Sequence, residues 1–224
     1  MKPWILLDEA AVPNSSDLLR LYRRDDEFSI KAGGFELMNS RKHGSEEALA
    51  ELGCRPVAAK KEPRVLVGGL GMGFTLAAAL SLLPPGARVT VSELIPAVVE
   101  WNRGPLGEFA GRPLADPRVS VKERDVADII RERGARFDAI LLDVDNGPDA
   151  LTHPGNARLY GDAGLAAAAT VLGKSGVLAV WSVSSDAAFV RRLRRAGFTV
   201  EEHKVQARAG RGRARHVVWV GRRS

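Results

Sequence analysis

Arg64-Val65-Leu66-Val67 runs directly into Gly68-Gly69-Leu70-Gly71-Met72-Gly73, and a helix-forming run from Thr75 to Leu83 follows. The apolar residues predict a short buried strand. The glycines let the backbone turn tightly and come close to a ligand, and the helix N-terminus behind them offers free N–H groups. Gly68, Gly69, Gly71 and Gly73 are thus the first candidate binding positions, although such a turn alone also serves as a packing corner.

Downstream, short β-rich runs alternate with helical ones. Arg88 to Ser92 reads as a second strand, followed by a helix through Pro96 to Trp101. Val119 to Val121 reads as a third, with a helix from Val126 to Arg133. Phe137 to Asp143 is a continuous apolar run of the kind buried on both faces. Leu159 to Leu172 reads as an alanine-rich helix ended by Gly173-Lys174-Ser175-Gly176. Gly176 to Ser182 is a fifth strand, and Ala187 to Ala196 a helix. Phe198 to Val205 and His216 to Val220 flank a Gly/Arg turn and read as a closing hairpin.

This alternation predicts an α/β fold with right-handed crossovers. The expected architecture is a Rossmann-like methyltransferase sheet, mostly parallel with a C-terminal antiparallel hairpin. Residues 1–63 differ: strand-like pieces surround Gly33-Gly34, and His43 to Leu52 reads as a helix. The expected organisation is a small N-terminal β hairpin region with a linking helix over 1–63, then a Rossmann-like domain over 64–224.

With 224 residues, 45% of them hydrophobic, the chain can bury one full-sized core. Its single cysteine, Cys54, allows no intrachain disulfide and suits a reducing, cytoplasmic compartment. Val65 to Leu83 carries no charge, but its glycines and the following Pro84-Pro85-Gly86 fit a strand, turn and helix better than a membrane span. No signal peptide is legible at the start. The net charge of +6 is local: residues 191–224 hold eleven Lys or Arg against two acids, leaving the rest at −3. Arg208, Arg211, Arg213 and Arg215 have no interleaved aromatics, so a solvated hairpin tip suits them better than a nucleic-acid grip.

Two acids complete the site. Glu93 ends the second strand about twenty residues after the glycine turn, where an acid can bind both ribose hydroxyls. Asp125 follows the third strand, placed to accept a hydrogen bond from an adenine amino group. A nicotinamide dinucleotide is the rival ligand. The acid after the third strand, the closing hairpin and the lack of a second nucleotide-binding half favour an adenosyl-methionine-type nucleoside.

Residues 64–220 resemble the spermidine synthase family. The resemblance is carried by Glu93-Leu94-Ile95-Pro96-Ala97-Val98, Asp143, Tyr160 and Gly176-Val177-Leu178-Ala179-Val180-Trp181-Ser182. More faintly, Gly33-Gly34-Phe35-Glu36-Leu37-Met38 is similar to that family's hairpin, and Ser45-Glu46-Glu47-Ala48-Leu49 to its Tyr-His-Glu segment. The resemblance implies S-adenosyl-methionine or its decarboxylated form as donor, no metal, an amine as small-molecule acceptor, and room for a homodimer. Three positions depart from the family. Its glycine-loop aspartate matches Gly71 and its polyamine-side tyrosine matches Ser45. Its Asp-Ser-Ser/Thr-Asp-Pro segment matches Asp143-Val144-Asp145-Asn146-Gly147-Pro148, one residue shorter.

Loss of carboxylates weakens recognition of a cationic amine, so methyl transfer to a small-molecule acceptor is the leading expectation. Aminopropyl transfer and a noncatalytic nucleoside-binding protein are the alternatives, and RNA modification is a weaker one. Asp143 and Asp145, at a strand's C-terminal end, are the candidate groups to orient an acceptor or take its proton. Each also reads as a polar loop end. Tyr160 either lines the acceptor pocket or packs. Asp138 reads as structural. His43, Asp149 and His153 are weaker candidates.

Overall fold

A computed structural model describes residues 2–13, 16–144, 147–148, 155–206 and 216–223, with the backbone alone at 155–157. The chain begins with β1 (Ile5–Ala11), β2 (Leu18–Arg24), β3 (Glu27–Ala32) and β4 (Phe35–Asn39), paired in that order as an antiparallel meander. Alternation along β2 buries Leu19 and Leu21 and leaves its arginines more exposed, which is how a sheet with one covered face reads. Helix α1 (Gly44–Cys54) leads out of this sheet.

The second sheet is assembled from β5 (Arg64–Gly68), α2 (Phe74–Leu82), β6 (Arg88–Glu93), α3 (Pro96–Arg103), β7 (Val119–Glu123), α4 (Val126–Ile130) and β8 (Phe137–Leu142). It continues with α5 (Gly155–Tyr160), α6 (Asp162–Val171), β9 (Leu172–Ser182), α7 (Ala187–Arg195), β10 (Phe198–Val205) and β11 (His216–Arg223). Its seven strands lie in the order β10-β11-β9-β8-β5-β6-β7. Strands β7, β6, β5, β8 and β9 are mutually parallel, and β11 is antiparallel to both β9 and β10. The α/β architecture with a closing hairpin is the one the sequence predicts.

Strands buried on both faces feed two cores. Val65, Val67, Val89, Val91, Ala139 and Leu141 point to the face that holds α1, α2, α3 and the inner side of the small sheet. Leu66, Ile140, Leu142, Leu178 and Val180 point to the face covered by α4 to α7. Trp101 Nε1 donates to Asp8 Oδ2 at 2.7 Å, pinning the small sheet to α3. Asp138 accepts from Lys60 Nζ at 2.6 Å and from the Arg64 N–H at 2.8 Å, the structural part expected of it.

Three of the boundaries that differ from expectation lie between α4 and β9. The helix read over 159–172 is two helices, because Gly161 is extended and Gly164 lets α6 press against the last turn of α5; a Cβ at 164 would lie 2.1 Å from the Leu159 carbonyl oxygen. The Gly173–Gly176 segment lies inside β9 as an irregularity: Phe137 pairs with Leu172 before Ala139 pairs with Val177, and Ser175 takes φ +61°. Helix α4 stops at Ile130. Among the described residues no helix is long and apolar enough to cross a membrane; the uncharged run 65–83 is β5, the glycine loop and α2.

Candidate functional site

The order of the large sheet reverses between β5 and β8, and ligands of open α/β sheets bind at such a switch point, beyond the carboxyl ends of the strands. Here the glycine loop leaves β5. Gly69 takes φ +89°, and a Cβ there would lie 2.1 Å from the Asp143 carbonyl oxygen. Only glycine allows that approach. Gly71 (φ +52°) and Gly73 (φ +83°) continue the turn into α2. Asn102, buried on α3, donates to the carbonyls of Gly71 at 2.8 Å and Val98 at 2.9 Å and fixes the loop from behind. Gly68 lies under the loop, where a Cβ would press on Val126 at 2.8 Å.

Glu93, the last residue of β6, is held by backbone N–H groups: Leu70 donates to Oε2 and Ile95 to Oε1, each at 2.9 Å. Burial pushes its carboxyl above the ordinary value, and N–H donors from Ile95, Leu70, Leu94 and Gly71 oppose this. Asp125 caps α4, its Oδ1 accepting from the Ala127 N–H at 2.8 Å. Gly69, Gly71, Glu93 and Asp125 line a cavity of about 140 Å³ closed on its far side by Leu19, Ile30 and Met38 of the small sheet. A Cβ on Gly71 would lie 2.9 Å from Met38 Sδ.

A second cavity of about 310 Å³ adjoins it, lined by Glu36, Lys42, Ser45, Glu46, Trp181 and His216. Asp143, Gly71, Leu37 and Met38 belong to both walls. Asp143 Oδ2 accepts from Thr75 Oγ1 at 2.6 Å. Burial pushes its carboxyl up to about 6, against the pull of the Thr75 hydrogen bond. Across the cavity Glu46 is pushed up to about 7, first by burial, then by the charge of Asp143, with the Ser45 hydroxyl opposing. Two carboxylates thus share the second cavity and resist double ionisation.

The acids Glu93, Asp125 and Asp143 stand at consecutive strand ends, as the sequence order suggests. Tyr160 does not join them. It is 1% exposed and packs edge-on against Phe189, with ring centroids 5.7 Å apart, in the core beneath α4 to α7. Of its two readings, lining the acceptor pocket or packing, its placement opposite Phe189 is the packed one. His43 stacks on Phe74 and meets Glu47 at 2.9 Å, beside a separate cleft. Cys54 is buried, its thiol pushed up to about 12 by desolvation. Asp145, Asp149, His153 and Arg208, Arg211, Arg213 and Arg215 lie outside the described residues.

Sequence reasoning missed Glu46, Thr75, Met38 and His216 as site residues. Glu46 entered only as part of the segment similar to the family's Tyr-His-Glu, and a threonine one residue inside a helix carries no motif. Among the described residues no group of three or more His, Cys, Asp or Glu is arranged to hold a metal.

No protein-family model matches the chain, and no curated protein matches it in sequence. Solved structures do match in three dimensions. The spermidine synthase from Thermotoga maritima superposes with a TM-score of 0.75 at 17% identity, over 98% of this chain and 73% of that one. A spermidine synthase in complex with the transition-state analogue AdoDATO gives 0.74 at 16% identity, over 98% and 72%. A probable spermidine synthase from Corynebacterium glutamicum gives 0.67 at 15% identity, over 99% and 81%. At such identity the likeness speaks for the architecture and not for the chemistry. The chain has a spermidine synthase-like fold, small N-terminal sheet included.

Proposed function

We propose that the chain is a transferase that takes an adenosyl sulfonium donor and passes an aminopropyl group to a cationic amine. The observation that carries this reading is Asp143 in the wall of both cavities: a donor in one and an acceptor in the other meet at one carboxylate. In this reading Gly69 and Gly71, with the loop between them, receive the methionine-derived end of the donor. Gly68 and Gly73 shape that loop. Glu93 binds the ribose hydroxyls and Asp125 the adenine amino group. The glycine cradle and the buried, N–H-bound Glu93 fit such a nucleoside. The bound donor supplies a carbon already activated by its sulfonium, so the protein's part is mainly positioning.

Glu46 and Asp143 suit a cationic acceptor, because charge-assisted hydrogen bonds to ammonium groups are the strong ones. Ionised Asp143 beside Gly71 also repels a donor carboxylate, which favours the decarboxylated donor. The near full-length likeness to spermidine synthases supports the same choice. Asp145, the other expected catalytic acid, is kept in this proposal as a group for the acceptor's proton.

Methyl transfer from S-adenosyl-methionine to a small-molecule acceptor is a second reading, favoured by Gly71, which places no acid of its own against the donor carboxylate. Calorimetry with S-adenosyl-methionine and its decarboxylated form, followed by mass analysis of a linear diamine incubated with each, tests the two. Tighter binding of the decarboxylated donor by about tenfold, or about 1.4 kcal/mol, with aminopropylated diamine as product, supports the proposal. Tighter binding of S-adenosyl-methionine with methylated product overturns it.

A further inference from the structure

We propose that Glu46, Ser45 and His216 form a proton path along the wall of the acceptor cavity to the first residue of β11. The inference rests on the amine-acceptor reading above. Ser45 Oγ donates to Glu46 Oε2 at 2.6 Å, and His216 Nδ1 lies 3.1 Å from the same Oγ. The two segments are 171 residues apart in sequence, so the contact is made by the fold and not by a local turn. Ser45 is 1% exposed, whereas His216 is only half-buried. The Trp181 ring, with its centroid 4.8 Å from that of His216, supports the imidazole from the side. All four residues line the second cavity.

An amine acceptor gives this path a task. An alkylammonium has no lone pair until one N–H bond breaks, with the bonding electrons staying on nitrogen and the proton leaving. Glu46 faces the cavity and receives that proton on its carboxylate. With Glu46 protonated, the Ser45 hydroxyl turns from Oε2 to Nδ1 of His216, then accepts the Glu46 proton while passing its own to Nδ1, and Nε2 of the imidazole releases one proton to water. The new Ser45 O–H lies toward Glu46, which is the starting hydrogen bond. One proton enters and one leaves, with no change of oxidation state.

The surroundings of Glu46 suit a group that both takes and gives a proton near neutrality. Asp143 at the end of β8 and Glu47 on its own helix oppose its ionisation. Glu36 of β4, Lys42 before α1 and His216 of β11 are the other titratable groups around the cavity. The Glu36 carboxylate is already engaged by Ser29 and Asn39, at 2.9 and 2.6 Å. His43, one turn from Glu46, is turned away to Glu47 and Phe74.

Two measurements test the path, and the first needs no turnover. The His216 ring resonances are followed by NMR across pH in the wild type, Glu46→Gln and Ser45→Ala. The wild type is expected to show a step at the Glu46 titration that vanishes in both variants; the same step in Ser45→Ala overturns the proposal. In the second, transfer to a linear diamine is measured at several pH values. Ser45→Ala is expected to lose about tenfold or more in kcat with little change in KM, as loss of general acid–base assistance does. Ser45→Thr should restore activity, and added imidazole should rescue His216→Ala. Unchanged kcat in Ser45→Ala overturns the proposal. Methylthioadenosine binding by each variant checks that the donor site is intact. A wild type that alkylates no amine defeats the amine reading, while the NMR comparison still decides the path.

Discussion

Thr75 Oγ1 donates a 2.6 Å hydrogen bond to Asp143 Oδ2, tying the first turn of α2 to the strand end that borders both cavities. The bond crosses 68 residues of sequence and closes the topological switch between β5 and β8. It also bears on the charge of Asp143, since it opposes the burial that pushes this carboxyl up to about 6.

Replacing Thr75 by Val should therefore raise the Asp143 carboxyl further. A hydrogen bond to a charged group contributes about 1.5–3 kcal/mol, so the change should be resolved by carboxyl NMR titration. The acid limb of the pH–rate profile should move to higher pH with it. An unmoved Asp143 titration would show that the hydroxyl does not hold the ionised form.

Stability should fall as pH rises through the range of these two acids. Glu46 and Asp143 titrate at about 7 and about 6 in the folded protein, above their ordinary values of 4.5 and 3.8. Between those limits the native state binds more protons than the unfolded one, so their effect favours folding at low pH and is lost as pH rises. Glu46→Gln should flatten this slope in thermal melts between roughly pH 4.5 and 7.5. At pH 8 it should raise stability by about 1–3 kcal/mol, since each tenfold change in a carboxyl's acidity on folding corresponds to about 1.4 kcal/mol. A variant less stable than the wild type at pH 8 would contradict this.

Glu93→Ala should cost both binding and stability, since the carboxylate already holds the Leu70 and Ile95 N–H groups at 2.9 Å each. Loss of the ribose contacts should weaken methylthioadenosine at least about tenfold by calorimetry. Stranding two N–H donors should also lower unfolding stability by about 1–3 kcal/mol in denaturant titration. Glu93→Gln, which keeps one acceptor oxygen, should fall between. A folded Glu93→Ala protein with unchanged affinity would move the nucleoside site elsewhere.

Gly71→Asp should strengthen selection for the decarboxylated donor by adding a second carboxylate against the donor's own. The backbone, at φ +52°, is one that aspartate tolerates better than most residues. The new Cβ would meet the flexible end of Met38, 2.9 Å away at Sδ, so the shift should be larger with Met38→Ala in the same chain. Titrating both donors against the single and double variants measures it, and a shift toward S-adenosyl-methionine would contradict the argument.

Much of the donor side was legible because it is written locally. A glycine turn needs glycines at fixed places, and a strand that ends in an acid shows its register in a few residues. Glu93, Asp125 and Asp143 could each be set at a strand end by counting strands, though not their order across the sheet, which reverses between β5 and β8. The acceptor side was not legible in this way. Glu46 and Glu47 look alike on paper, yet Glu46 borders the second cavity while Glu47 turns to His43. Tyr160 sits where either face of a short helix was open to it, and the core below α5 took it.

The sequence alone determined the α/β alternation, the glycine loop, the closing hairpin and the row of acids at strand ends. Each follows from backbone sterics or from periodicity within a few residues. Only the tertiary structure decided that Met38 of the small sheet would close the first cavity, that Asp143 would border both cavities, and that Ser45 would meet His216. Those meetings depend on where the small sheet and α1 lie against the large sheet. Packing of two cores sets that placement, and no single stretch of sequence encodes it.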